Sequence, residues 1–123
     1  MKLNVTGTGR TAVVTPRGDF LGYDGGTLRA TLADIRANGV RNVVLDLGQA
    51  THIDTSAIGV VLGEARLQRS LGGDLRIAGL ESSARTFSML TLTRVTETLA
   101  CFAGADQAVN SFDVVEGPLS LAA

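Results

Sequence analysis

Residues 52–56 place an imidazole (His52), a carboxylate (Asp54) and two hydroxyls (Thr55, Ser56) within five positions. Three kinds of chemistry draw on such a set. The first is phosphoryl acceptance. A hydroxyl at a helix N-terminus lies beside unpaired backbone N–H groups and the positive end of the macrodipole, and both favour an anion. The second is nucleophilic catalysis, with His52, four residues before Ser56, as general base. The third is metal-assisted phosphorylation of an aspartate, for which Asp46 and Asp54 are the nearby carboxylates.

The residue pattern favours the first. No Asp or Glu at triad spacing supports His52, and the Gly-x-Ser-x-Gly elbow of hydrolases is absent. A lone histidine in a strand-to-helix loop reads as packed or hydrogen-bonded. An aspartyl site wants several converging carboxylates, and two are too few. Ser56 also has a plain reading as a helix cap, since Asp, Thr and Ser are all favoured there. One cap suffices, however. The residues that follow, Ala57, Ile58, Gly59 and Val60, are small or apolar and leave the hydroxyl open to an approaching protein.

These residues need an element on each side to position them. Residues 43–47 are nearly continuously apolar, as in a strand covered on both faces. Ile58, Val61, Leu62 and Ala65 follow the i, i+3, i+4, i+7 pattern, while Glu64, Arg66, Gln68 and Arg69 point elsewhere. Gly72-Gly73 ends the helix, which spans about residues 56–71 and is roughly 24 Å long at the standard rise. Val60, Leu67 and Leu71 lie off the main apolar stripe.

Upstream, residues 4–6 and 11–15 around Gly7-Thr8-Gly9-Arg10 read as a β-hairpin closed by Pro16. Asp24-Gly25-Gly26-Thr27 reads as a turn with possible caps. Leu28, Leu32 and Ile35 then give a helix that Asn38-Gly39 stops. Downstream, residues 75–78 predict a strand, 82–90 a short helix, 96–102 a last strand holding a packed Cys101, and 105–112 a closing helix. Strands alternating with helices predict one α/β domain over residues 1–113: a mixed sheet of about five strands with about four helices. Residues 114–123 carry no clear period and read as an arm or tail.

Composition narrows the function. At 123 residues the chain suits one domain, burying roughly two thirds of its unfolded surface. Its 45% hydrophobic and 19% charged residues are too apolar for intrinsic disorder. Eleven basic residues against twelve acidic ones, spread along the chain, leave no basic stripe, and five aromatics offer no stacking platform. Nucleic acid is therefore not an expected partner. A single cysteine excludes an internal disulfide and a cysteine-cluster metal site. With no apolar h-region and no run of eighteen apolar residues, a soluble cytoplasmic protein without membrane insertion is expected.

Residues 43–47 followed by Ile53-Asp54-Thr55-Ser56-Ala57-Ile58-Gly59-Val60-Val61-Leu62 resemble the signature of STAS-domain anti-sigma factor antagonists, which reads Asp-Ser-Ser-Gly-Leu-Gly at this turn. Leu71-Gly72-Gly73-Asp74-Leu75-Arg76-Ile77 resembles the family's glycine-closed helix and next strand. Gly18-Asp19-Phe20-Leu21 stands where the family shows Gly-Glu-Leu-Asp. The similarity runs in order over residues 4–112. Leu21 takes the place of an aspartate and Ala57 that of a glycine; the alanine favours helix.

The resemblance implies a bacterial partner-switching phosphoprotein in transcription regulation and signal transduction. Its unmodified form binds an anti-sigma serine kinase, which releases sigma factor; the kinase modifies the serine, and a serine phosphatase restores the unmodified form. The acceptor maps onto Ser56, with Thr55 as a possible second. Asp19, Asp54, Thr55, Ser56, Ala57, Ile58 and Gly59 are the expected partner-binding residues. The expected mode is binding without catalysis, with no cofactor and no metal. An alternative is a STAS subunit of a membrane lipid or anion transport system, in which the same turn grips a permease segment.

Overall fold

The computed structural model describes residues 1–80 and 94–112. Its elements are strands β1 (Lys2–Thr8) and β2 (Thr11–Phe20), a 3-10 turn (Gly22–Asp24), helix α1 (Gly25–Ala37), strands β3 (Asn42–Asp46) and β4 (Ala50–Ile53), helix α2 (Thr55–Ser70), strand β5 (Asp74–Ala78), and helices α3 (Val95–Thr98) and α4 (Ala105–Ser111). The expected helix at 82–90 and the tail at 114–123 lie outside the described residues.

The five strands form one mixed sheet in the order β1-β2-β3-β5, with β4 also on β2. The hairpin β1–β2 is antiparallel, and the β2–β3, β2–β4 and β3–β5 pairs are parallel. Helices α1 and α2 cover one face around Phe20, Leu28, Leu32, Leu45, Ile58, Val61 and Leu75. On the other face α4 seals a smaller cluster through Ala108, against Val13, Val44 and Ala78. Strand β3 is thus buried from both sides, which is why its sequence reads Val-Val-Leu without alternation.

Pro16 does not close β2. It is buried inside the strand, opposite Leu3. On its other side β3 pairs only as far as Val14, and β4 begins pairing at Gly18. The missing N–H therefore falls in a gap between two parallel partners, where no ladder bond is lost. Gly18 follows with φ +81°, and the register shifts between Gly18 and Asp19. This bulge turns the end of β2 onto β4, a strand the sequence reading lacked.

Three further expectations change. Gly25 and Gly26 open α1 and are not a separate turn. Residues 96–102 are not a strand: Val95 and Leu99, four apart, are both buried, and Val95–Thr98 forms one helical turn. Only Cys101 lies along β5, in an isolated bridge to Ile77. Helical spacing of two apolar anchors has overridden the strand preference of Thr96 and Thr98. Finally, Glu64 and Gln68 do not face solvent. Gln68 is fully buried, and both lie on the α2 surface that meets α1.

Candidate functional site

The candidate residues gather where the parallel strands β2 and β4 end and α2 begins. In open α/β sheets, the carboxyl ends of the strands are where ligands and partners are met. Asp54 is extended and caps α2, its Oδ1 accepting the Ala57 N–H at 2.7 Å. Its Oδ2 accepts the Gly22 N–H at 3.1 Å, tying the turn before α1 to the same carboxylate. These two N–H groups, Ala57 first, hold the Asp54 carboxyl below its usual range.

Because Asp54 does the capping, the two hydroxyl residues lie within the first helical turn. Thr55 and Ser56 are both exposed. Among the described residues, no hydrogen bond engages Ser56 Oγ. Gly59 is exposed one turn further, with open space where a Cβ would stand. Ala57 and Ile58, expected at the partner surface, are instead sealed in the core at 0% and 2% exposure. The helical period points them at the sheet, so their part is to seat the helix that carries Ser56.

Gly22 is a residue the sequence reading missed. A Cβ on it would stand 2.5 Å from Ser56 Cβ and 3.3 Å from Ser56 Oγ. Three residues on, a Cβ on Gly25 would stand 2.8 Å from Val60 Cγ2. The two glycines let the start of α1 lie directly on the first turn of α2. Between them Tyr23 projects at 80% exposure, and Asp24 is buried, its Oδ2 accepting the Leu21 N–H at 2.9 Å. Where the family resemblance leads one to expect an aspartate at Leu21, this chain holds its carboxylate three residues later, turned inward. The only local hint of Gly22 is the glycine-rich run Gly22-Tyr23-Asp24-Gly25-Gly26.

Asp19 and His52 form a second, smaller cluster. They are paired across β2 and β4, and Asp19 Oδ1 meets His52 Nδ1 at 2.8 Å and accepts the Thr51 hydroxyl at 2.8 Å. His52 first and Thr51 second pull the Asp19 carboxyl below its usual range. The histidine is thus hydrogen-bonded, and its carboxylate partner comes from another strand. That carboxylate is engaged on β4, and neither residue shares a hydrogen bond with Ser56 or Asp54.

Asp46 accepts the Gly48 N–H at 2.9 Å and closes the loop after β3, so it is not a second carboxylate of an aspartyl site. Among the described residues, no group of three or more His, Cys, Asp or Glu is placed to hold a metal ion. Cys101 is half-buried, and burial pushes its thiol up. A groove of about 460 Å³ lies at the opposite end of the molecule, lined by Arg10, Asn38, Gly39, Arg41 and Gly72. It contains none of the candidate residues. No described helix is long and apolar enough to cross a membrane.

The exposed Ser56 thus stands at the start of α2 with the exposed Thr55 and Gly59 beside it. Solved structures share this arrangement of strands and helices. A candidate anti-sigma factor antagonist from Thermotoga maritima superposes with a TM-score of 0.79 at 14% identity, covering 89% of this chain and 92% of that one. The anti-sigma factor antagonist SpoIIAA of Bacillus, in its unphosphorylated form, gives 0.69 at 18% identity, with 93% and 100% covered. A sulfate transporter family protein from Wolinella succinogenes gives 0.72 at 17%, with 86% and 87% covered. The STAS domain family matches residues 2–108, and the chain belongs to that family.

Proposed function

We propose that this chain is an anti-sigma factor antagonist that works by partner switching. Its unmodified form binds an anti-sigma serine kinase and so frees a sigma factor; phosphorylation of Ser56 ends that binding, and a serine phosphatase reverses it. The observation that carries this reading is the division of labour at the start of α2. Asp54 caps the helix, so the Ser56 hydroxyl stands exposed and unengaged within its first turn. A kinase can reach that oxygen without unfolding anything.

The charge then acts on the partner and not on the fold. A phosphoserine carries about −1.5 to −2 charges, which a helix N-terminus tolerates or favours. Beside the Asp54 carboxylate, however, it makes an acidic corner that an acidic or apolar partner surface meets only at a cost in repulsion and desolvation. The chain acts by binding in this reading, and the expected site is in the cytoplasm.

The test is quantitative binding of the Ser56→Ala and Ser56→Asp variants to the ATP-dependent serine kinase that copurifies with the wild-type chain. The alanine variant is expected to bind as wild type, and the aspartate variant at least about tenfold more weakly, a difference of about 1.4 kcal/mol. Equal affinities would contradict the switch. Likeness to a sulfate transporter family protein favours a second reading, in which the same turn grips a permease segment. Copurification with a membrane transporter, with Ser56 unmodified, is the outcome that selects it.

A further inference from the structure

We propose that the groove at the far end of the molecule from Ser56 is a binding site for a small phosphorylated molecule, held by Arg10 and Arg41. Strand pairing brings the two arginines together. Thr11 lies opposite Asn42 in the parallel β2–β3 ladder, so the residue before each, Arg10 and Arg41, arrives at the same end of the sheet. Both line the groove of about 460 Å³, a size usual for small-molecule sites.

The charge there is unbalanced. None of the residues lining the groove is acidic, and among the described residues neither arginine forms an ion pair. Asp74 donates its N–H to the Arg41 carbonyl, but its carboxylate is held by Arg69 at 2.9 Å and Arg76 at 3.1 Å. Two guanidiniums sharing a concave surface without a counter-charge raise its positive potential and attract an anion. Helices α1 and α2 also end here, and bare helix carbonyls would oppose an anion. Those carbonyls are engaged. The Arg36 carbonyl accepts the Gly39 N–H at 2.9 Å and Arg41 Nη1 at 3.0 Å, that of Asp34 accepts Asn38 Nδ2 at 2.9 Å, and that of Arg69 accepts the Gly72 N–H at 3.1 Å.

The groove is also shaped in advance. The Arg41 carbonyl is fixed by Gln68 Nε2 at 2.7 Å and by the Asp74 N–H at 3.2 Å. One nitrogen of its guanidinium rests on the end of α1, which leaves further N–H groups for a ligand. Gly9, Gly39 and Gly72 have φ of +62°, +86° and +87°, and a Cβ on any of them would meet nothing within 4 Å, so the turns that bound the groove leave it open. Planar guanidiniums pair with phosphoryl oxygens through two parallel hydrogen bonds. No aromatic lines the groove to stack on a base, so the phosphoryl group is what the site recognises.

The experiment titrates the full chain with inorganic pyrophosphate, read by calorimetry and by amide NMR, with citrate as a carboxylate polyanion for comparison. Pyrophosphate is expected to saturate one site with a Kd of about 1 mM or tighter. It should shift the amides of Gly9, Gly39 and Gly72 and leave those of Gly22 and Gly59 unmoved. Arg10→Gln, in an exposed turn, should weaken binding about tenfold or more while its amide spectrum away from the groove stays that of the wild type. Arg41→Gln should weaken binding at least as much. Failure to saturate below about 10 mM, shifts centred on Gly22 and Gly59, or an unchanged affinity in Arg10→Gln would each overturn the site. Citrate binding more tightly than pyrophosphate would overturn its assignment to phosphoryl groups.

Discussion

The two ends of α2 are built on opposite principles. At its C-terminal end, α2 is locked to its surroundings by buried polar bonds. Arg36 donates to Gln68 Oε1 at 2.8 Å and to Glu64 Oε1 at 3.3 Å, and Gln68 donates to the Arg41 carbonyl at 2.7 Å. The backbone at Gly73 passes so close to Arg41 that a Cβ would overlap its carbonyl oxygen. At the N-terminal end the contacts are glycine against serine and glycine against valine, held by one carboxylate. One end of α2 is thus fixed by several polar bonds, and the exposed Ser56 sits at the end held through the single carboxylate of Asp54.

The comparison predicts a graded set of effects. Gly73→Ala should be the most damaging, at about 3 kcal/mol or more in denaturant unfolding, because backbone on both sides of the clash has nowhere to move. A loss below about 1 kcal/mol would mean that the far end is not rigid. Gln68→Ala strips partners from Arg36 and from the Arg41 carbonyl inside the interface. It should cost about 2–4 kcal/mol, combining unsatisfied polar groups with a cavity.

Changes at the near end should be smaller. Asp54→Asn weakens the cap and the tie to Gly22, and its effect should depend on pH. The folded carboxyl lies below its ordinary value of 3.8, so its contribution is complete above that value and fades as pH falls toward the lowered folded one. The gap in stability between wild type and Asp54→Asn should therefore close on acidification; a gap constant from neutral to acidic pH would show that the ionised carboxylate does not hold the cap and the Gly22 N–H. Ser56→Asp should shift unfolding by no more than about 0.5 kcal/mol, since a negative charge in the first helical turn is tolerated.

The smallest effect belongs to His52→Ala. Both His52 and Asp19 are more than half exposed, so no change in global stability is expected. What should change is the Asp19 carboxyl, which rises toward its ordinary range once its main hydrogen-bond partner is gone, as NMR titration would record. An unmoved Asp19 titration would show that the two side chains are not paired in solution.

How much of this was legible in the sequence follows from how local each signal is. Strand β3 and helix α2 are visible because a both-faces-buried strand and an amphipathic helix each write a pattern within a few residues. The exposed Ser56 was legible for the same reason, through its place at the end of that pattern. Strand β4 was not, since Ala50-Thr51-His52-Ile53 is four residues long with two polar ones exposed in the middle. Glu64 and Gln68 were misplaced because their burial depends on Arg36, some thirty positions earlier. Gly22 and the Asp19–His52 pair were hidden for the same reason. Their partners lie more than thirty residues away, and only the bulge at Gly18 and the parallel pairing of β2 with β4 bring them together.

The most direct test of the account is mass spectrometry of the natively expressed protein. Trypsin releases residues 42–66 as one peptide holding Thr51, Thr55 and Ser56. Fragmentation that separates the three hydroxyls is expected to place a phosphoryl group on Ser56 in a fraction of the protein that varies with growth condition. A peptide that stays unmodified under every condition, or that carries its phosphate on Thr51, would contradict the claim that Ser56 is the switch.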